Sequence, residues 1–177
     1  NDADYKTKGN FIKWNPSIKT IEDQNALWDA LISDKIDVIA TDHAPHTFNE
    51  KNQLYVDCPS GGPLVQHSLY IMYEHFLEKR ISLEKIVEKM CHNPAILFNI
   101  KKRGFIREGF FADLVILRKN QSWVINKNNI LYKCGWSPFE GKKINSMITH
   151  TFVSGNLAYE NGVFNQNIMG KKIEFNS

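Results

Sequence analysis

With 177 residues, 42% of them apolar, the chain is long enough for one domain or a little more with a real core. Its 22 basic and 19 acidic residues leave a net charge of only +3 with no basic stripe, which excludes an evident nucleic-acid partner. No apolar run reaches the length of a membrane span, no signal-peptide pattern opens the chain, and three cysteines without a C-x-x-C pair fit reduced thiols in a cytoplasmic protein.

The chain opens NDADYKTKGN, without an initiator Met and without a helix or strand pattern, so it reads as the middle of a larger protein entered at a loop. Residues 20–33 carry a helical pattern: Thr20 caps it, Asp23 follows three positions on, and Leu27, Leu31 and Ile32 form much of its apolar face. Residues 36–41 follow as a strand whose near-continuous apolar core suits a parallel sheet covered on both sides. A polar loop, His46 to Gly62, leads to a second helical period over 64–79 with Val65, Leu69, Met72, Tyr73 and Phe76 in phase. Ser82 caps a third helix through Cys91, with Ile86, Val87 and Met90 inward. Asn93 and Pro94 suit the cap and first position of a short helix, AILFNI. After residue 104 the character changes. A Gly turn precedes a short apolar strand over 112–117, and residues 147–164 read as a hairpin turning at Ser154-Gly155-Asn156, with a second turn at Asn161-Gly162. Helices and one buried strand thus come first and antiparallel strands last, with a boundary near residue 104.

Where the strand over 36–41 ends, one aspartate and two histidines fall within five positions, in TDHAPH. Enzymes with parallel sheets place reacting groups at that end of a strand. A carboxylate at Asp42 suits metal ligation and proton transfer. His46, beyond the stiff Pro45, suits a metal or an anionic substrate group, and His43 suits either role or simple packing. On pattern alone such a segment is more often a polar loop than a metal site, and one Asp with two His falls short of a catalytic ligand set. Spacing does not decide between the two readings. His67, His75, His92 and His150 lie in helical or strand patterns and read as surface or core residues.

Six stretches together carry a resemblance: KWNPSIKT, IDVIATDHAPHTFNEK, CPSGGP, HNPAILFNI, GFIREGFFADLVIL and the terminal hairpin. In these the chain resembles the C-terminal part of the dihydroorotases, of the amidohydrolase superfamily, in their long bacterial, Bacteroides-like form. TDHAPH is the most specific, since related hydantoinases and allantoinases share its D-H core but usually carry another residue at the position of His46. The resemblance implies an α/β fold. Residues 1–103 would be the C-terminal portion of a distorted (β/α)8 TIM barrel with IDVIATD as its eighth strand, and residues 104–177 would be C-terminal strands of a small β-sandwich.

It also implies a zinc-dependent, reversible interconversion of L-dihydroorotate and N-carbamoyl-L-aspartate, a step of pyrimidine synthesis, with one or two zinc ions per site. Asp42 matches the family's aspartate that binds metal and shuttles the proton. His46 matches the histidine that helps hold the substrate carboxylate, and Asn15 an asparagine that hydrogen-bonds the substrate. Ser60 and Gly61 match a loop that reaches the ring through backbone groups, an approach that glycine permits. Taken singly, Asn15 reads as a turn residue before Pro16 and Gly61 as a loop glycine. PLVQHSL departs from the Gly-Leu-Glu-like stretch common in the family, and neither His67 nor Cys58 receives a role.

The family's H-x-H motif, its bridging residue, two further histidine ligands and the Arg that partners His46 have no counterpart in this sequence. The resemblance therefore implies one metal ligand here, Asp42, and a chain inactive without its N-terminal remainder, expected either as a piece cut in the loop before Asn1 that stays docked or as a truncated form of the protein. A small-molecule substrate, that remainder and a second copy are the expected partners, with no nucleic acid and no membrane. The competing readings are a hydantoinase-like or allantoinase-like cyclic amidohydrolase, which has less use for His46, and a non-catalytic dihydroorotase-like subunit acting as a scaffold.

Overall fold

Capping side chains set where most helices begin. In a computed structural model that describes residues 1–176, the opening residues do wind into short helical turns, contrary to the sequence reading. Helix α1 (Tyr5–Lys8) lies between 3-10 turns at Asp2–Asp4 and Gly9–Ile12, and Asn1 caps the first by accepting from the Ala3 N–H at 3.1 Å. Helix α2 (Ile21–Ile32) starts as read. The Thr20 hydroxyl accepts from the Asp23 N–H, and the Asp23 carboxylate accepts from the Thr20 N–H at 3.2 Å. Of its expected apolar face only Leu31 is buried, while Leu27 is 60% and Ile32 44% exposed.

Residues 36–41, expected as a strand, join no ladder; the Ile39 N–H instead donates to the Lys89 carbonyl at 3.0 Å. A parallel strand exists only beside a hydrogen-bonded neighbour, and none among the described residues flanks this one. The expected polar loop contains helix α3 (Phe48–Lys51), capped reciprocally by Thr47 and Glu50. The T-x-x-E signature was present in the sequence. Helix α4 spans Ser68–Leu77.

Ser82 caps α5 (Leu83–Val87), which runs through a π turn (Glu88–His92) into α6 (Asn93–Leu97). Asn93 is therefore helical rather than a cap, with φ −62° and ψ −41°, and its amide donates to the Asp37 carbonyl at 2.7 Å. The extra residue of a π turn shifts the helical phase, so Lys89 is buried where Met90 was expected to be.

Strands β1 (Leu114–Val124), β2 (Lys143–Val153), β3 (Asn156–Glu160) and β4 (Val163–Phe164) form one sheet in that order. The first two are longer than their apolar stretches suggest. Strands β2, β3 and β4 pair antiparallel through Val153 with Asn156 and Tyr159 with Phe164. Both reversals are two-residue turns, Ser154-Gly155 and Asn161-Gly162, with positive φ at every position. That is the hairpin turn whose twist matches the strands.

Residues 1–36, 40–71 and 124–143 form one compact unit; residues 37–39, 72–123 and 144 onward form another. Ile12, Leu31, Cys58, Tyr70, Ile125 and Trp136 are buried in the first, and Met72, Tyr73, Ile81, Ile86, Ala95 and Ile144 in the second. No helix among the described residues is long and apolar enough to cross a membrane.

Candidate active site

All five residues singled out from the sequence fall in the first compact unit. His43 forms a parallel bridge with Gly62, and the Ala44 N–H donates to the Gly62 carbonyl at 3.3 Å, which lays TDHAPH alongside CPSGGP. His43 Nδ1 accepts from the N–H groups of Leu64 and Val65 at 3.0 and 3.3 Å, and the ring packs on Tyr132 at 5.3 Å. It ties down the chain beyond the loop.

His46 is half-buried and turns the other way. Its Nε2 donates to the Ser60 carbonyl at 3.0 Å, and its own carbonyl accepts from the Trp136 indole at 2.8 Å. Gly61 takes φ +113°, and a Cβ there would stand 2.7 Å from the Ala44 carbonyl oxygen, so only glycine fits. Its N–H donates to the Lys13 carbonyl at 2.9 Å. At Gly62 a Cβ would meet Trp14 at 2.8 Å and Trp136 at 3.2 Å. Trp14 thus packs on the glycine loop, and Asn15, the next residue, is exposed beside it.

Asp42 is exposed and holds φ +44°, a left-handed conformation that Asp tolerates better than most residues. Backbone strain of this kind clusters at functional positions. The structure thus joins His46 to Ser60 by a direct bond with Gly61 next in the chain, follows them with Asn15 through its neighbours Lys13 and Trp14, and joins Asp42 only by chain adjacency to the His43 bridge.

Three further residues shape the site without having been singled out. Trp136 supports His46 and Gly62 from a stretch that carried no period. Lys51 is fully buried, and its ammonium donates to the carbonyls of Pro59 at 2.8 Å and Lys13 at 3.2 Å. Burial lowers its pKa, opposed by the neighbouring Cys58. Lys13 donates to the carbonyls of Tyr55 and Cys58, both at 2.6 Å. The T-x-x-E pattern at Thr47 and Glu50 is a local signal for the start of α3, but nothing local marks its last residue as buried.

Behind these loops His67 is buried beside the Ser137 hydroxyl, 3.1 Å from Nδ1, and burial pulls its pKa down to about 4. Burial also pushes Tyr132 up to about 12, against the N–H that Gln66 donates to its oxygen. Among the described residues no three His, Cys, Asp or Glu side chains gather as a metal ion would require. A zinc site takes three or four protein ligands. One carboxylate, with a nitrogen of each nearby imidazole already bonded to backbone, does not by itself fit a zinc ion.

The amidohydrolase family model matches residues 15–158. The dihydroorotase of Endomicrobium trichonymphae is 36% identical over 149 residues, 84% of this chain and 35% of that protein. The dihydroorotase of Pyrococcus furiosus is 34% identical over 158 residues, 89% of this chain and 36% of that protein. Among solved structures, L-hydantoinase (dihydropyrimidinase) from Arthrobacter aurescens matches with a TM-score of 0.84 at 29% identity, over 92% of this chain and 37% of that one. The chain spans about a third of the length of the curated relatives it matches.

Proposed function

Because the chain belongs to the amidohydrolase family, we propose that it is the C-terminal share of a zinc-dependent dihydroorotase interconverting L-dihydroorotate and N-carbamoyl-L-aspartate. The observation that carries this reading is the bond from His46 to Ser60, which unites TDHAPH with CPSGGP at one place. A cyclic amide bearing a carboxylate has a use for an imidazole there; an unsubstituted hydantoin does not.

In the hydrolytic direction Asp42 takes the proton of the attacking water and passes it to the ring nitrogen as the C–N bond breaks. His46 holds the substrate carboxylate, Asn15 hydrogen-bonds the ring substituents, and the Ser60–Gly61 backbone lies against the ring. When bound, zinc would supply Lewis-acid polarisation, with Asp42 as this chain's one ligand and the remainder supplied by an N-terminal part of the protein. In that assembly residues 36–42 act as the eighth strand of the barrel, the exposed Leu27 and Ile32 gain a covering, and residues 104–177 belong to the sandwich. The enzyme is cytoplasmic, and a homodimer by analogy.

Hydantoinases share the fold, as the Arthrobacter aurescens structure does. His46→Ala in the full-length enzyme separates the two readings. We expect KM for dihydroorotate to rise about tenfold, the worth of one charge-assisted hydrogen bond, with hydantoin turnover unchanged. Equal losses on both substrates, or a wild type that prefers hydantoin, would sink the dihydroorotase reading.

A further inference from the structure

Lys51 closes a helix of four residues, yet its side chain is wholly buried. An ammonium is expensive to bury, and an apolar side chain of similar volume generally serves stability as well. What the charge supplies here is geometry. Lys51 Nζ reaches the Pro59 and Lys13 carbonyls together, and the Lys13 carbonyl also accepts from the Gly61 N–H. The Lys13 ammonium returns across the same gap to the carbonyls of Tyr55 and Cys58. Residues 55–61 have no sheet partner to fix them apart from the Gly62 bridge at their end. Ammonium groups with three donors each are suited to tying several carbonyls at one point.

We propose that Lys51, assisted by Lys13, is a positioning residue that sets the Ser60–Gly61 backbone and the Asn15 loop at the separation the substrate ring requires, an inference that rests on the dihydroorotase reading. Neither lysine touches substrate; both act through backbone carbonyls. Removing the Lys51 ammonium leaves the Pro59 and Lys13 carbonyls without their donor and lets the two loops drift.

The test is Lys51→Met and Lys13→Met in the full-length enzyme, with KM and kcat for dihydroorotate measured beside amide hydrogen exchange at Gly61. In K51M, KM rises about tenfold and kcat stays within about threefold, as for lost ground-state placement. K13M shows the same pattern at about threefold, and it decides alone if K51M does not fold. Gly61 exchanges faster in both. KM within twofold of wild type, or kcat lost at constant KM, overturns the clamp. A wild type that does not turn over dihydroorotate sinks the functional reading only; Gly61 exchange then decides, unchanged protection overturning the clamp and lost protection supporting it.

Discussion

The turns of the C-terminal sheet and the loops of the candidate site solve one problem, reversing a backbone with little regular structure, by opposite means. Between β2 and β4 each reversal takes two residues in left-handed conformations, and a Cβ on Gly155 or Gly162 would meet nothing within 4 Å. Neighbours in sequence suffice. In residues 42–62 the chain is held by bonds to groups remote in sequence: Trp136 on His46, Lys13 on Gly61, and Lys51 reaching back to Lys13. The sheet turns are local and roomy; the site loops are crowded and depend on a few bonds each. Substitutions should therefore be tolerated in one region and costly in the other.

The largest effect is expected where chemistry rather than packing is removed. Asp42→Asn in the full-length enzyme should lower kcat by about 10²- to 10⁴-fold, the usual worth of a general acid–base group. Asn accepts the same φ, so unfolding free energy should move by less than about 1 kcal/mol. A loss under tenfold would remove Asp42 from proton transfer.

Acid should weaken the site region next. His67 titrates near 6.5 when unfolded and at about 4 when folded. Between those values the unfolded chain binds more protons, so the stability is fully present above pH 6.5 and is lost as pH falls to 4, by about 3 kcal/mol. Urea midpoints at pH 4.5 and 7 read the slope, and His67→Gln should flatten it.

Two glycines then test the comparison directly. Gly61→Ala sets a Cβ against the Ala44 carbonyl at positive φ and should cost about 2–4 kcal/mol in denaturant unfolding. Gly162→Ala has the strain without the clash and should cost about 1 kcal/mol. Equal losses would break the distinction between local and remote support.

Much of the local structure was legible because it depends on adjacent residues. Thr20 with Asp23, Ser82 before α5 and the pair Asn161-Gly162 each state their conformation within four positions. The cap of α3, Thr47 with Glu50, is equally local, although it lies in a segment whose polarity reads as a loop. The strand expected over 36–41 went the other way: the segment joins no ladder, because a strand is a relation between two segments, and here the second is absent from the described residues. At the site, Asp42, His43 and His46 cluster within five positions, yet on pattern alone the segment is more often a polar loop than a metal site, and spacing does not decide between them. The structure distinguishes the two histidines by the direction of their bonds, one accepting from Leu64 and Val65, the other donating to Ser60.

By itself the sequence determined the caps at Thr20 and Ser82, the hairpin turns and, through six stretches in register, the family. Each of these rests on short-range sterics or on residue identity, which a linear chain carries in full. Only the tertiary structure decided that Lys51 is buried, that Trp136 supports His46, and that Gly61 must lack a side chain because Ala44 lies against it. Those facts are distances between residues far apart in the chain, and burial or a clash exists only once the chain has brought them together.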